Sequence, residues 1–147
     1  MHTTKSILIH TTREKLFPVA SDLPRWPEYL SHYNYNRYLS PLPNGGIIKM
    51  SARRSGIPLT WTSIYRYNPE TFQMHFEHLK PTTRGMIVRW DMEPVAEGVM
   101  VTITHDFTLQ WPVVGGFVAN VIIGSFLVDH VAGLTLAGLK QYMETKM

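Results

Sequence analysis

The chain has 147 residues, with 14 Lys and Arg against 11 Asp and Glu for a formal charge of +3, and it contains no cysteine. This length suits a single domain over 1–147, and the missing cysteine excludes disulfides, thiolate metal sites, iron–sulfur clusters and a cysteine nucleophile. Charged residues make up 17% while seven Tyr, six Phe, four Trp and eight Met supply side chains for an apolar pocket with a few polar tips, which excludes disorder, collagen and coiled coil.

In chain order, Met1 to Leu16 holds no apolar core of signal-peptide length behind a basic start, which points to a cytoplasmic protein. Lys5 to His10 alternates as a first strand and ends at Thr11-Thr12. Thr12 caps a short helix through Leu16, Phe17 and Ala20, bent by Pro18; Ser21 or Asp22 caps a second helical piece, Leu23 to Trp26, that Pro27 interrupts. From there the period is two. His32–Leu39, Gly46–Arg54, Leu59–Tyr67, Thr71–Leu79, Gly85–Met92 and Val99–Leu109 read as strands, divided by turn signals such as Pro41 to Gly46, Asn68-Pro69-Glu70 and Glu97-Gly98. A long helix, Val113–Met143, closes the chain.

Trp111 to Val128 carries no formal charge, yet Pro112, Gly115, Gly116, Asn120, Gly124 and Ser125 and the absence of a flanking basic cluster argue for a buried helix rather than a membrane span. The Lys and Arg residues are scattered, with Arg53-Arg54 the only adjacent pair, so no nucleic-acid groove is expected. His75, Glu77 and His78 resemble metal ligands by type, but alternation sends His78 to the opposite face, and neither a metal nor a cofactor is expected.

One strand, a short helical pair, six meandering strands and a terminal apolar helix give an α+β domain whose curved antiparallel sheet encloses a cavity under the helix. Alternation puts Leu59, Trp61, Ser63, Tyr65 and Tyr67 on one face of their strand and Thr60, Thr62, Ile64 and Arg66 on the other. The matching inward sets are Phe72, Met74, Phe76 and His78; Met86, Val88, Trp90 and Met92; and Val99, Val101, Ile103, His105 and Phe107. Function is expected on that aromatic and Met-rich wall.

Asp22-Leu23-Pro24-Arg25-Trp26-Pro27-Glu28-Tyr29 with Tyr33, then Trp61-Thr62-Ser63, Asn68-Pro69, Met86 with Arg89-Trp90, His105-Asp106-Phe107 and Thr135 to Lys140, follow in the order seen in bacterial polyketide aromatase/cyclases of the START-like superfamily, which the whole chain resembles. The resemblance implies a helix-grip fold: a seven-stranded sheet wrapped around the carboxy-terminal helix, with a deep pocket between them. It further implies folding of a poly-β-keto chain, aldol closure and loss of water, with Trp26, Tyr33, Trp61, Ser63 and Trp90 at pocket positions.

Two positions depart from that pattern. The family's arginine, two residues after the serine, is Tyr65 here, and the glutamine before the Asp-Phe pair is His105. A tyrosine donates one neutral hydrogen bond where a guanidinium supplies a fixed charge, whereas an imidazole can do acid/base work. The working groups expected are therefore Tyr33, Ser63, Tyr65 and His105, with Trp26, Trp61, Met86, Trp90 and Phe107 contacting the ligand. Ser63 is not expected as a nucleophile, having no oriented histidine beside it in sequence. The alternative is a non-catalytic carrier of a lipid, quinone or other apolar molecule. Partners implied are a small apolar or polyketide ligand and an acyl carrier protein; oligomeric state is not legible, and no membrane contact is expected.

Overall fold

The computed structural model describes residues 2–54, 56–80, 86–106 and 115–145. Seven strands form one antiparallel sheet: β1 (His2–Ile9), β2 (Tyr33–Leu42), β3 (Gly45–Arg54), β4 (Ile57–Asn68), β5 (Gln73–Lys80), β6 (Ile87–Val95) and β7 (Gly98–Asp106). Their spatial order is β1-β7-β6-β5-β4-β3-β2, a curved and unclosed sheet with β1 and β2 as its edges. Helix α1 (Arg13–Ala20) and a 3-10 helix (Leu23–Glu28) carry the chain from one edge to the other, and α2 (Gly115–Thr145) packs on β1 and reaches β3. The expected α+β helix-grip arrangement is the one observed.

Local chemistry explains the elements. Thr12, extended at φ −111°, accepts the Lys15 N–H at 3.3 Å and so starts α1. Alternation gives β7 its two faces, Val99, Val101, Ile103 and His105 being buried between less buried neighbours. Val131, Ala132, Thr135, Leu136, Leu139 and Met143 form the buried stripe of α2, at the spacing that keeps one helical face on the core. Its end is held by Lys140, whose ammonium donates to the Leu8 carbonyl at 2.7 Å and to Glu144 at 2.6 Å, while Glu144 accepts the His10 N–H at 3.0 Å.

Several boundaries differ from the sequence reading. β2 begins at Tyr33 rather than His32 and continues through Pro41 to Leu42, leaving Pro43-Asn44 as the whole turn into β3. An edge strand tolerates the missing proline N–H, which is why the Pro-rich stretch did not end it earlier. β6 likewise runs on through Pro94 to Val95, and β1 starts at His2, opposite Asp106. The predicted ends of β7 beyond 106, of α2 before 115, and residues 111–114 of the uncharged stretch lie outside the described residues. From 115 onward that stretch is α2, and among the described residues no helix is long and apolar enough to cross a membrane.

Candidate functional site

Strand register arranges the concave face in rows. Ile48, Ser63 and His78 are successive cross-strand partners, and the His78 N–H donates to the Met86 carbonyl at 2.9 Å. The next row runs Gly46, Tyr65, Phe76, Val88, His105, and the one after it Tyr67, Met74, Trp90, Ile103. Ser63, Tyr65, His78, Met86, Val88, Trp90 and His105 are all buried. Arg66 is exposed on the opposite face, so the predicted faces of β4 are the observed ones.

An aromatic wall crosses these rows. The 3-10 helix seats Trp26 by an indole N–H bond to the Ala20 carbonyl at 3.0 Å. From Trp26 the ring centroids lie 5.6 Å from Trp90 and 5.1 Å from Tyr33; Tyr33 lies 6.3 Å from Trp61, and Trp61 is parallel to the His78 imidazole at 6.2 Å. Five rings from five separate segments thus make contact, at separations where aromatic pairs attract beyond simple burial.

Polar groups sit along the wall. Ser63 Oγ is buried and finds no hydrogen-bond partner among the described residues, an arrangement that costs ~1–3 kcal/mol unless a bound group satisfies it. Opposite it, burial holds the His78 imidazole down at about 3, with His105 acting in the same direction, so His78 is neutral at physiological pH and offers one N–H and one lone pair. At the other end Thr135 Oγ1, on α2, lies 3.2 Å from the Tyr33 hydroxyl, 3.0 Å from His32 Nε2 and 2.8 Å from the Val131 carbonyl. Burial lifts the Tyr33 phenol above the usual tyrosine range, keeping it protonated.

Tyr65 is differently engaged. Its hydroxyl donates to the Ser21 carbonyl at 2.9 Å and its ring stacks on Phe76 at 4.7 Å, with no solvent exposure. The proton expected for a ligand is committed to the loop between the two short helices, and the side chain fastens that loop to the sheet. Phe107 lies outside the described residues.

Three contributors carry no role in the sequence reading. Alternation places His78 inward, but its pairing with Ser63 depends on the register between β4 and β5. Thr135 reaches Tyr33 only through the docking of α2. Asn36, inward on β2, donates from Nδ2 to the Leu23 carbonyl at 2.9 Å and leaves Oδ1 buried without a partner among the described residues. No Asp, Glu, Lys or Arg is found among the described buried residues.

Residues 1–144 match the family model described as polyketide cyclase/dehydrase and lipid transport. Among curated proteins the chain is similar to the actinorhodin polyketide synthase bifunctional cyclase/dehydratase of Streptomyces coelicolor, 26% identical over 107 residues, covering 68% of this chain and 34% of that protein. The chain therefore spans about a third of the length of that relative. Among solved structures it is similar to the Zhui aromatase/cyclase from Streptomyces, with a TM-score of 0.85, 15% identity, and 98% and 93% of the two chains covered. A START superfamily protein from Mycobacterium smegmatis matches with a TM-score of 0.71, 16% identity and 99% of each chain covered. At these identities the structural likenesses speak for the fold.

Proposed function

The chain belongs to the polyketide cyclase/dehydrase and lipid transport family, and from that membership we propose that its concave face takes up a poly-β-keto chain and promotes aldol ring closure and loss of water. The observation that carries the reading is Ser63 Oγ, buried without a described partner in an apolar surround and directly opposite His78. A ketide carbonyl oxygen there accepts the serine proton and satisfies a group that the fold leaves unsatisfied. The imidazoles of His78 and His105 move protons between carbon and oxygen as the ring closes and the hydroxyl leaves. Tyr33, held by Thr135, meets a second oxygen of the chain. Trp26, Trp61 and Trp90, with Met86, shape an extended chain into a flat ring-forming conformation. Tyr65 has only the Ser21 bond in this reading. An acyl carrier protein is the partner that would present the chain.

A second reading, non-catalytic carriage of an oxygenated apolar molecule, is favoured by one observation: no charged side chain is among the described buried residues. Stabilisation of an enolate is strongest from a fixed charge or several aimed donors, and the described buried residues include neither Arg nor Lys to supply that charge. The deciding experiment is product formation from a poly-β-keto thioester with and without the protein. Acceleration over spontaneous cyclisation that is lost in Ser63→Ala supports the cyclase; equal rates, together with tight binding of the ketide, support the carrier.

A further inference from the structure

The convex face of the sheet carries a cleft that the concave site does not use. Its volume is about 530 Å³, and its lining includes Arg66, His75 and Arg89 together with Asn44, Asn68 and Glu70. Register makes the first three a row: Arg66 on β4 is the cross-strand partner of His75 on β5, which is the partner of Arg89 on β6. Neighbouring strands lie ~4.8 Å apart, so the two arginine Cα atoms sit roughly 10 Å from one another across the histidine, close enough for both long side chains to converge above it.

Such a row is unfavourable by itself, because two guanidiniums about 10 Å apart on one face repel. Only part of it is neutralised from within. Arg89 Nε donates to Asp91 Oδ2 at 2.9 Å, and the other Asp91 oxygen accepts from Gln73 Nε2 at 2.7 Å, so that carboxylate is occupied on both sides. The Arg66 guanidinium has neither an ion pair nor a side-chain hydrogen bond among the described residues, and the same holds for the His75 ring. Glu70 is the one carboxylate among the lining residues, against two guanidiniums.

We propose that this cleft binds a phosphate monoester, its phosphate held between Arg66 and Arg89 over His75. A tetrahedral dianion accepts from two planar guanidinium forks at once, a geometry that suits arginine better than lysine. The cleft is several times larger than a phosphate ion, and a volume of this order is that of a small-molecule site. The organic part of the ester therefore lies along the polar lining that Asn44 and Asn68 supply. Arg66, His75 and Arg89 lie on the face opposite Ser63 and Tyr65, and the assignment does not depend on the reading given for the concave wall.

Calorimetric titration of the intact chain at constant ionic strength tests the assignment, with adenosine 5′-monophosphate, adenosine and inorganic phosphate as probes. The monophosphate is expected to bind at least tenfold more tightly than either of the others. Arg66→Gln should weaken it by at least tenfold, while Lys15→Gln, which removes the same charge from exposed α1, should change it less than twofold. Because Arg66 is exposed, thermal unfolding of Arg66→Gln should match that of the parent. Three results overturn the proposal: no binding of the monophosphate, equal binding of inorganic phosphate, or equal weakening by both substitutions. Ketide turnover or binding measured on Arg66→Gln stays at the parental value in every case, so failure here is distinct from failure at the concave site.

Discussion

Ser63 and His78 face each other across β4 and β5 as the last pair of a regular ladder that begins at Asn68–Gln73 and runs through Tyr67–Met74 and Tyr65–Phe76. Thr62 pairs with Lys80 and Ser63 with His78, so Leu79 has no partner of its own. Without that bulge the ladder would continue with Thr62 opposite Leu79, and the Ser63–His78 pair would stay as it is. The polar pair on the concave wall is thus a product of the register that the rest of the β4–β5 ladder sets.

Ser63→Ala should leave thermal stability unchanged or raise it slightly, because it removes a buried hydroxyl that has no described partner. Ketide cyclisation should fall by ~10²-fold, the scale for losing one transition-state donor. The two measurements are differential scanning calorimetry and product formation; a loss of stability matching the loss of turnover would show the serine to be structural.

Tyr65→Phe should do the reverse. Losing the bond to the Ser21 carbonyl should cost about 1 kcal/mol in urea unfolding, the net worth of a hydrogen bond, with turnover per folded molecule unchanged. A large fall in kcat at unchanged stability would return Tyr65 to the reacting groups.

Stability should decline as pH falls below about 6.5. His78 and His32 have folded-state values lowered to about 3 and about 4, chiefly by burial, against an ordinary 6.5. The unfolded chain therefore binds protons that the folded one refuses, and the stability present in full above pH 6.5 is lost progressively down through those folded values. Urea midpoints between pH 7 and 5, above most carboxylate titration, read this effect. His78→Leu should flatten the slope in that window, and an unchanged slope would remove His78 from the account.

Gly45→Ala should destabilise the protein by ~2 kcal/mol or more. Gly45 has φ +146°, and a Cβ there would lie 1.9 Å from the Tyr65 carbonyl oxygen, which belongs to a paired strand and has little room to move. Thermal unfolding of the variant measures the loss, and a parental midpoint would mean that β3 shifts freely against β4.

The sequence alone determined the sheet, because a period of two with breaks at hairpin spacing leaves few other arrangements for six consecutive runs. It also determined which side of each strand is apolar: His78 inward and Arg66 outward follow from counting along β5 and β4. The ordered matches from Trp26 to Lys140 likewise carried the family, which does not depend on any one contact. Tertiary structure decided the rest. Whether the Tyr65 proton meets a ligand or a backbone carbonyl depends on where the loop at Ser21, 44 residues earlier, comes to rest. Thr135 meets Tyr33 only when α2 docks, 102 residues along the chain. The pairing of Ser63 with His78 rests on the register between β4 and β5, which the alternation of either strand leaves open. Periodicity reports the direction of a side chain from its own strand; hydrogen-bond partners are fixed by the relative placement of segments distant in sequence, and that placement is settled by packing the whole core.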